Sequence, residues 1–211
     1  MINDCTAIIL AGGDSRRMGR DKATLPFAGK TLMQTVIVTM QQLFPVTLVS
    51  VRQIRPEISL PQVCDTQSDG GPLTGLVTAL STIHTPWAFV VGCDMPFVSP
   101  ALVEQLAAHR AQQQAVVPVV HGQLQPLAAF YSTSCIPMMR ANLSLGDKSL
   151  LGAIKNLNVR YVDEMQMRRT DLQLRSFFDL DTPLDLITAQ DNLITAQNNL
   201  NISPGMEKAV E

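Results

Sequence analysis

Near its N-terminus the chain reads Ala7-Ile-Ile-Leu-Ala-Gly-Gly-Asp-Ser-Arg-Arg-Met-Gly-Arg-Asp-Lys22. The apolar residues that open this stretch predict a short buried strand, because they run without interruption into a glycine turn. Gly12 and Gly13 have no Cβ, so the backbone there can approach a ligand closely. Successive N–H groups in such a turn form a concave site for an anion, and the arginines and Lys22 add positive charge for phosphate oxygens. The stretch therefore predicts a strand followed by a loop that holds a nucleotide triphosphate.

The spacing of this loop differs from two common phosphate-binding loops. A P-loop places four residues between its glycines and ends in Gly-Lys-Ser/Thr. Here five residues separate Gly13 from Gly19, and Lys22 is followed by Ala23. A dinucleotide-binding fingerprint needs Gly-x-Gly-x-x-Gly, which adjacent glycines do not supply. The loop is thus a different kind of phosphate-binding turn.

The bulk composition narrows the class of protein. The chain has 211 residues, of which 46% are hydrophobic and 16% are charged, and this suits one globular domain with a substantial core. The net charge of −2 gives no basic field for nucleic acid or an anionic membrane. No apolar run approaches the roughly 20 residues of a membrane helix, no secretory signal opens the chain, and the cysteines form no Cys-x-x-Cys pair. We therefore expect a cytoplasmic protein with reduced thiols that binds neither nucleic acid nor membrane.

The order of the apolar patterns predicts an α/β fold. Strand-like runs alternate with helical periodicity, which indicates a mainly parallel sheet with helices on both faces. Ligands of such sheets bind beyond the carboxyl ends of the strands, so the Gly12 turn and Asp94 should lie at one edge. The predicted strands are residues 6–10, 46–51, 87–91, 115–120 and 127–131, and the predicted helices are residues 31–43, 73–83 and 99–113.

The C-terminal region carries a seven-residue repeat. Leu186-Ile-Thr-Ala-Gln-Asp-Asn is followed by Leu193-Ile-Thr-Ala-Gln-Asn-Asn and then Leu200. The repeat places leucine and isoleucine on one stripe of a helix, as in a short coiled-coil seam, although two heptads are too few for an independent coiled coil. We expect a single domain over residues 1–190, an extension of the last helix and a frayed tail over 191–211, and a monomer or a weak dimer.

The full pattern Leu-Ala-Gly-Gly-x-Ser-x-Arg-Met-Gly-x-Asp-Lys resembles the signature loop of molybdenum cofactor guanylyltransferases, a family within the nucleotidyltransferases. Further segments extend the resemblance over residues 6 to about 190. It implies a three-layer Rossmann-like nucleotidyltransferase fold with a mainly parallel central sheet. It also implies GTP as donor, a molybdopterin-type acceptor, Mg²⁺ as cofactor, and maturation proteins of molybdoenzymes as further partners. The implied reaction transfers GMP from GTP to the terminal phosphate of molybdenum-molybdopterin and releases pyrophosphate.

The resemblance also assigns roles to individual residues. Asp94 lies in a Gly-x-Asp-x-Pro segment that matches the family's metal-binding strand end, although from this segment alone a cap of the turn before Pro96 is an equal alternative. Asp65 matches an acidic position that can accept hydrogen bonds from guanine N1 and N2, whereas as plain structure it is a solvated side chain. The implied nucleotide-binding residues are Leu10, Ala11, Gly12, Gly13, Lys22, Asp65, Gly71 and Asp94, and the implied catalytic residues are Arg17, Lys22 and Asp94.

Other segments follow the family with substitutions. Phe177-Phe-Asp-Leu-Asp-Thr-Pro-Leu-Asp-Leu186 resembles the family's Asn-x-Asn-Thr-Pro-x-Asp-Leu segment, which makes Asp181 the second candidate metal ligand beside Asp94. Asp181 and Thr182 could equally cap a helix. The stretch where the family often has asparagine near the ribose reads Ser-Val-Arg52 here, and Gly146-Asp-Lys-Ser149 lies where the second substrate is expected. The histidines have no evident partner and are expected at the surface.

Three alternative enzymes share the expected fold, namely a molybdopterin cytidylyltransferase, a sugar-phosphate nucleotidylyltransferase and a 2-phospholactate-type guanylyltransferase. Similar cytidylyl enzymes carry Leu-Ala-Ala-Gly where this chain has Leu10-Ala-Gly-Gly13, and the second glycine leaves room for a larger purine. Sugar enzymes usually run longer. A binding module with a degraded nucleotide site is the alternative from another class, but the retention of Arg17, Lys22 and Asp94 argues against it.

Overall fold

The computed structural model describes residues 1–12, 22–65, 71–180, 182 and 184–189. An eight-stranded sheet forms its centre, and a separate hairpin precedes the first long helix. The strands are β1 (Cys5–Leu10), β2 (Pro26–Phe27), β3 (Lys30–Thr31), β4 (Val46–Val51), β5 (Gln62–Cys64), β6 (Trp87–Gly92), β7 (Ala115–Val120), β8 (Gln123–Leu124), β9 (Ala129–Ser132) and β10 (Val159–Val162).

The main sheet has the order β10-β7-β9-β6-β1-β4-β5, with β8 attached to β7. β1 pairs in parallel with both β4 and β6, and the pairs β4–β5 and β7–β10 are also parallel. β9 runs antiparallel to both β6 and β7, and β8 runs antiparallel to β7. The mainly parallel sheet predicted from the sequence is confirmed, and β9 is its internal antiparallel strand.

Helices cover both faces of the sheet, as predicted. They are α1 (Leu32–Leu43), α2 (Pro72–Leu80), α3 (Pro100–Ala107), α4 (Ile136–Ser144), α5 (Leu150–Ile154) and α6 (Glu164–Met167), and residues 184–189 are also helical. Side chains of β1 alternate between two apolar clusters, as the pleat requires. Ala7 and Ile9 join α1 and α3 in one cluster, whereas Ile8 joins α2, α4 and α5 in the other. These clusters give the fold three layers.

The predicted helix boundaries are right at α1 and wrong at two C-terminal ends. Thr31 caps α1 in a capping box with Gln34. The helix predicted over 73–83 stops at Leu80, where the last turn tightens as the N–H groups of Ser81 and Thr82 donate to the carbonyls three residues earlier. The helix predicted over 99–113 stops at Ala107.

Arg110 stabilises the early end of α3. Its Nε donates to the carbonyl of Ala107 at 3.0 Å, and its Nη2 donates to the carboxylate of Asp4 at 3.1 Å. The guanidinium carbon lies 5.6 Å from the ring centroid of Trp87 and 5.3 Å from that of Phe130. A cation stacked on two aromatic faces and bonded to a terminal helix carbonyl favours a break at this point.

The structure corrects the expectation that the histidines have no partner. His121 is exposed as expected but has a partner, since its Nδ1 lies 3.4 Å from Oε2 of Glu164 and its backbone N donates to the same oxygen. That backbone N–H, together with Arg168, holds the pKa of Glu164 below its usual value.

The heptad repeat beyond residue 189 lies outside the described residues. Within the described ranges, no helix is long and apolar enough to cross a membrane.

Two cysteine thiols should be unreactive in the native protein. Burial raises the pKa of Cys5 and of Cys135 to about 12, so both remain protonated at pH 8, and the thiolate is the reactive form. Iodoacetamide labelling at pH 8, followed by mass spectrometry, should modify the half-buried Cys64 and Cys93 and spare the other two until the protein is unfolded. Labelling of Cys5 at the rate of Cys64 in folded protein would contradict this prediction.

Candidate functional site

The carboxyl ends of β1, β4, β5 and β6 meet at one edge of the sheet, and backbone hydrogen bonds continue past them. The N–H of Ala11 donates to the carbonyl of Ser50 at 2.9 Å, and that of Asp65 donates to the carbonyl of Val51 at 3.0 Å. On the other side of β1, the N–H of Cys93 donates to the carbonyl of Leu10 at 3.2 Å. The predicted juxtaposition of Gly12 and the segment before Asp94 is therefore present in the fold, and Asp65 lies at the same edge.

Gly12 begins the glycine turn directly beside Arg52. A Cβ added to Gly12 would lie 3.4 Å from Cγ of Arg52 and 4.0 Å from its Nε. Gly12 is half-buried and Arg52 is exposed. Arg52 therefore runs along the start of the turn that the sequence assigns to phosphate binding.

The N-terminal end of α2 packs close to the same edge. A Cβ on Gly75 would lie 3.1 Å from the hydroxyl oxygen of Ser50 and 4.0 Å from Cδ2 of Leu10. The hydroxyl of Ser50 donates to the carbonyl of Gly75 at 3.4 Å. Because a glycine at position 75 allows this approach, α2 begins next to the ends of β1 and β4.

Gly71, which precedes α2, contacts the loop between α4 and α5. A Cβ on Gly71 would lie 3.3 Å from the carbonyl oxygen of Lys148. Asp147 fixes this loop by accepting a hydrogen bond from the N–H of Ser149 at 2.9 Å, and its carboxylate occupies the space where a Cβ of Gly152 would lie. The structure thus brings the Gly-Asp-Lys-Ser loop to the segment that contains Gly71.

Asp94 lies just beyond β6, and its carboxylate folds back over the end of that strand. A Cβ on Gly92 would lie 2.5 Å from Oδ1 of Asp94 and 3.3 Å from Cγ of Met95, so only glycine leaves room for this conformation. The carbonyl of Asp94 accepts a hydrogen bond from the N–H of Leu180 at 3.0 Å. The strand end is therefore bonded to the segment that carries Asp179.

A buried serine secures the loop that follows Asp94. The side chain of Ser176 is fully buried, and its hydroxyl accepts a hydrogen bond from the N–H of Ser99 at 2.9 Å. The same hydroxyl donates to the carbonyl of Phe97 at 3.4 Å. Asp171 accepts hydrogen bonds from the N–H groups of Arg175 and Ser176, which fixes the short helical turn that carries this serine. The C-terminal segment thus positions the loop after β6.

Aromatic contacts join the same loop to the hairpin formed by β2 and β3. The ring of Phe97 lies 5.5 Å from that of Phe27 in an edge-to-face arrangement and 6.4 Å from that of Phe178. The guanidinium carbon of Arg175 lies 4.7 Å from the centroid of Phe97. Since Phe27 closely follows the predicted phosphate loop in sequence, one cluster supports both sides of the candidate site.

Some predicted site residues lie outside the described part of the chain. Gly13, Arg17 and Asp181 fall there, and for Lys22 the structure describes the backbone only. Thr182 caps the helical segment at 184–189, because its hydroxyl accepts from the N–H of Asp185 at 3.2 Å and its own N–H donates to that carboxylate at 2.7 Å. The capping alternative is therefore confirmed for Thr182.

Sequence reasoning missed three residues that shape this edge, namely Gly92, Ser176 and Arg52. The Gly-x-Asp-x-Pro spacing contains a signal for Gly92, since a glycine two residues before a functional carboxylate can make room for it. Ser176 gives no such signal, because its partners are 77 and 79 residues away in sequence. The contact between Arg52 and Gly12 joins two strands and is likewise invisible in either segment alone.

Comparisons with known proteins agree with this geometry. A domain family described as the MobA-like NTP transferase domain matches residues 7–161. A relative from Pelotomaculum thermopropionicum named "Probable molybdenum cofactor guanylyltransferase" is 34% identical and covers 92% of this chain and 94% of its own length. One of the same name from Chloroflexus aggregans is 33% identical, with coverages of 90% and 95%.

Solved structures share the architecture. Molybdopterin-guanine dinucleotide biosynthesis protein A from Archaeoglobus fulgidus superposes with a TM-score of 0.80 at 27% identity, covering 90% of this chain and 99% of its own. A 2-C-methyl-D-erythritol 4-phosphate cytidylyltransferase from Thermus thermophilus has the same fold, with a TM-score of 0.64 at 16% identity and coverages of 89% and 98%.

The fold and its relatives define a nucleotidyltransferase, an enzyme with a mostly parallel sheet flanked by helices. The three-layer Rossmann-like class expected from the sequence is thereby confirmed. Within that class, the chain belongs to the MobA-like NTP transferase family.

Replacing Gly92 by alanine should reduce the rate of nucleotidyl transfer strongly and the stability of the fold only moderately. The new Cβ would displace the carboxylate of Asp94, so we expect at least a tenfold loss of nucleotidyl transfer, while overpacking lowers the free energy of unfolding by about 1–3 kcal/mol. The matched control is Val90→Ala, which removes buried methyl groups from the same strand without touching Asp94. Transfer rates and melting temperatures of both variants test this, and equal rates at equal stability would contradict it.

Proposed function

We propose that this protein is a molybdenum cofactor guanylyltransferase, which transfers GMP from GTP to the terminal phosphate of a molybdopterin-type acceptor and releases pyrophosphate. One observation carries the proposal. Backbone hydrogen bonds hold the glycine turn, Asp65 and the Cys93-Asp94 segment at a single sheet edge. The names of the relatives support the same reaction.

The glycine turn is the proposed triphosphate site. Leu10 and Ala11 lead into it, and Gly12 and Gly13 would present backbone N–H groups to phosphate oxygens. We assign Arg17 and Lys22 the neutralisation of charge on the leaving pyrophosphate. Their positive charge favours the transition state because the leaving group gains negative charge as its bond to the α-phosphorus breaks.

Asp65 and Gly71 are the proposed base-binding residues. Guanine presents donors at N1 and N2, and an ionised carboxylate is an acceptor that can receive both. Asp65 is half-buried and its backbone is fixed to the end of β4, so its carboxylate starts from a defined position. Gly71 would let the base and ribose approach the backbone before α2. Cytosine lacks the paired N1 and N2 donors, so this arrangement favours the guanylyl enzyme over the cytidylyl alternative.

The residues around Asp94 suit a magnesium ion. Mg²⁺ prefers one or two carboxylates together with phosphate oxygens, and Asp94 lies where a phosphate held at the glycine turn would be close. The hydrogen bond from Leu180 to Asp94 brings the segment that ends at Leu180 to the same strand end, and Asp181 follows it in sequence. We therefore assign Asp94, with Asp181 as second ligand, to the metal. When bound, the ion would neutralise charge on the α-phosphate and the attacking phosphate.

The acceptor is proposed to bind near the loop that contains Lys148. A hydrogen bond from the N–H of Ser149 to Asp147 closes this loop, and its Lys148 carbonyl lies next to Gly71. In the proposed reaction an oxygen of the acceptor phosphate attacks the α-phosphorus of GTP in line, and pyrophosphate leaves from the opposite side. The chain supplies position and charge and needs no side-chain nucleophile. Cytoplasmic location, a monomeric or weakly dimeric state, and contacts with molybdoenzyme maturation proteins stay predictions of the sequence.

A panel of nucleotides tests the donor. Purified protein with Mg²⁺ and molybdopterin-loaded acceptor should consume GTP and release pyrophosphate, and binding measured by calorimetry should rank GTP above CTP, ATP and UTP by at least tenfold, because only guanine offers N1 and N2 donors to Asp65. Equal or better turnover of CTP would overturn the guanylyl assignment. A protein that binds no nucleotide would support the binding-module alternative.

A substitution at Asp94 tests the metal assignment. Asp94→Ala should abolish transfer, a loss of at least a thousandfold, because it removes a metal ligand without removing a core contact. The melting temperature should stay within a few degrees of the wild-type value, since Asp94 is only half-buried. Asp163→Ala is a matched control, because it removes a carboxylate that caps α6 after β10, the strand at the other side of the sheet from β4 and β5. Near-normal transfer by the Asp94 variant would place the metal elsewhere.

A further inference from the structure

Arg52 is a cation at the nucleotide edge that the proposed reaction has not used. It follows β4 directly, where β4 pairs with β1 on one side and β5 on the other. Its Cγ and Nε lie 3.4 Å and 4.0 Å from the position of a Cβ on Gly12. The side chain thus runs along the first residue of the glycine turn.

The guanidinium of Arg52 is not committed to a neighbour within the described ranges. Ion pairs elsewhere tie Arg110 to Asp4 and Arg168 to Glu164. Arg52 makes no side-chain hydrogen bond or ion pair to a described residue, and it is exposed. A guanidinium keeps its charge at all physiological pH values and presents paired N–H donors that match phosphate oxygens.

We propose that Arg52 is a phosphate-binding residue, which contacts the triphosphate of the nucleotide held at Gly12. This inference rests on the proposed function, because it takes the glycine turn as the site of the triphosphate. An anion at the backbone N–H of Gly12 would lie beside this residue, and Nε of Arg52 lies 4.0 Å from the position of a Cβ on it. Arg52, the residue after β4, therefore adds a positive charge to the charges that Arg17 and Lys22 contribute from the glycine loop.

The position of Arg52 favours phosphate over base as its target. Its Cγ lies next to Gly12, whereas the proposed base-binding residue Asp65 follows β5, the next strand outward.

A series of ligands with decreasing numbers of phosphates distinguishes a contact with phosphate from a contact with the base. Calorimetry would measure the dissociation constants of GTP, GDP, GMP and guanosine for wild-type protein and for Arg52→Gln. Loss of a charge-assisted contact should weaken GTP binding by about 10- to 100-fold. The loss should shrink as phosphates are removed and should be less than twofold for guanosine. Arg52→Lys should fall between the two proteins, because it keeps the charge and loses the paired donors.

The matched control is Arg160→Gln. Arg160 is an exposed arginine on β10, the strand at the far side of the sheet, and it also makes no side-chain bond to a described residue. The two variants have the same net charge, so a general electrostatic effect would weaken GTP binding equally in both. We expect the Arg160 variant to bind every ligand of this series with the affinity of the wild-type protein.

Two results would overturn the assignment of Arg52. One is an equal loss of affinity for guanosine and GTP, which would mean that the side chain contacts the base or ribose. The other is a GTP affinity no weaker than that of Arg160→Gln. If the wild-type protein prefers another base, the guanylyl assignment is wrong. The same series of ligands, made with that nucleoside, then still tests the role of Arg52. If no nucleotide binds the wild-type protein, both proposals fail.

Discussion

The parallel pairing of β1 with its two neighbours is the constraint on which the rest of the structure depends. Because β4 and β6 both run in the direction of β1, all three strands end at one edge. The hydrogen bonds continue one residue further on both sides, from Ala11 to Ser50 and from Cys93 to Leu10. Loops that are far apart in sequence therefore begin from fixed and adjacent points. A nucleotidyltransferase needs that arrangement, since its catalysis relies on position and charge.

The loop after β6 depends on a second constraint, the space left by Gly92. The carboxylate of Asp94 folds over that glycine, and the backbone of Asp94 is bonded to Leu180. Ser176 and the ring of Phe178, which contacts Phe97 in that loop, then secure the following turn from the C-terminal side. The C-terminal segment of the domain thus supports the carboxylate of Asp94, which lies near the middle of the sequence. This physical link explains why a segment far from the glycine turn belongs to the same site.

The sequence predicted most of the layer architecture because buried parallel strands and amphipathic helices leave separate apolar patterns. It predicted α1 from the helical spacing of its apolar residues, whereas the capping box of Thr31 and Gln34 that begins this helix was found only in the structure. It was wrong at the ends of α2 and α3, where the last turns tighten and, at α3, the side chain of Arg110 donates to the carbonyl of Ala107. The hairpin of β2 and β3 and the antiparallel direction of β9 were not foreseen, since very short strands carry almost no periodicity and direction is set by the connections.

By itself, the sequence determined the chemistry that this protein has available, because residue types and their local spacing fix which groups can bind phosphate, metal or base. The glycine turn, Asp65, Gly71 and Asp94 could all be named in this way. Only the tertiary structure decided which of these groups meet and what holds them. Arg52 beside Gly12, Lys148 against Gly71 and Ser176 beneath the loop of Phe97 are contacts between distant segments. Such contacts depend on strand order and close packing, which no single segment encodes.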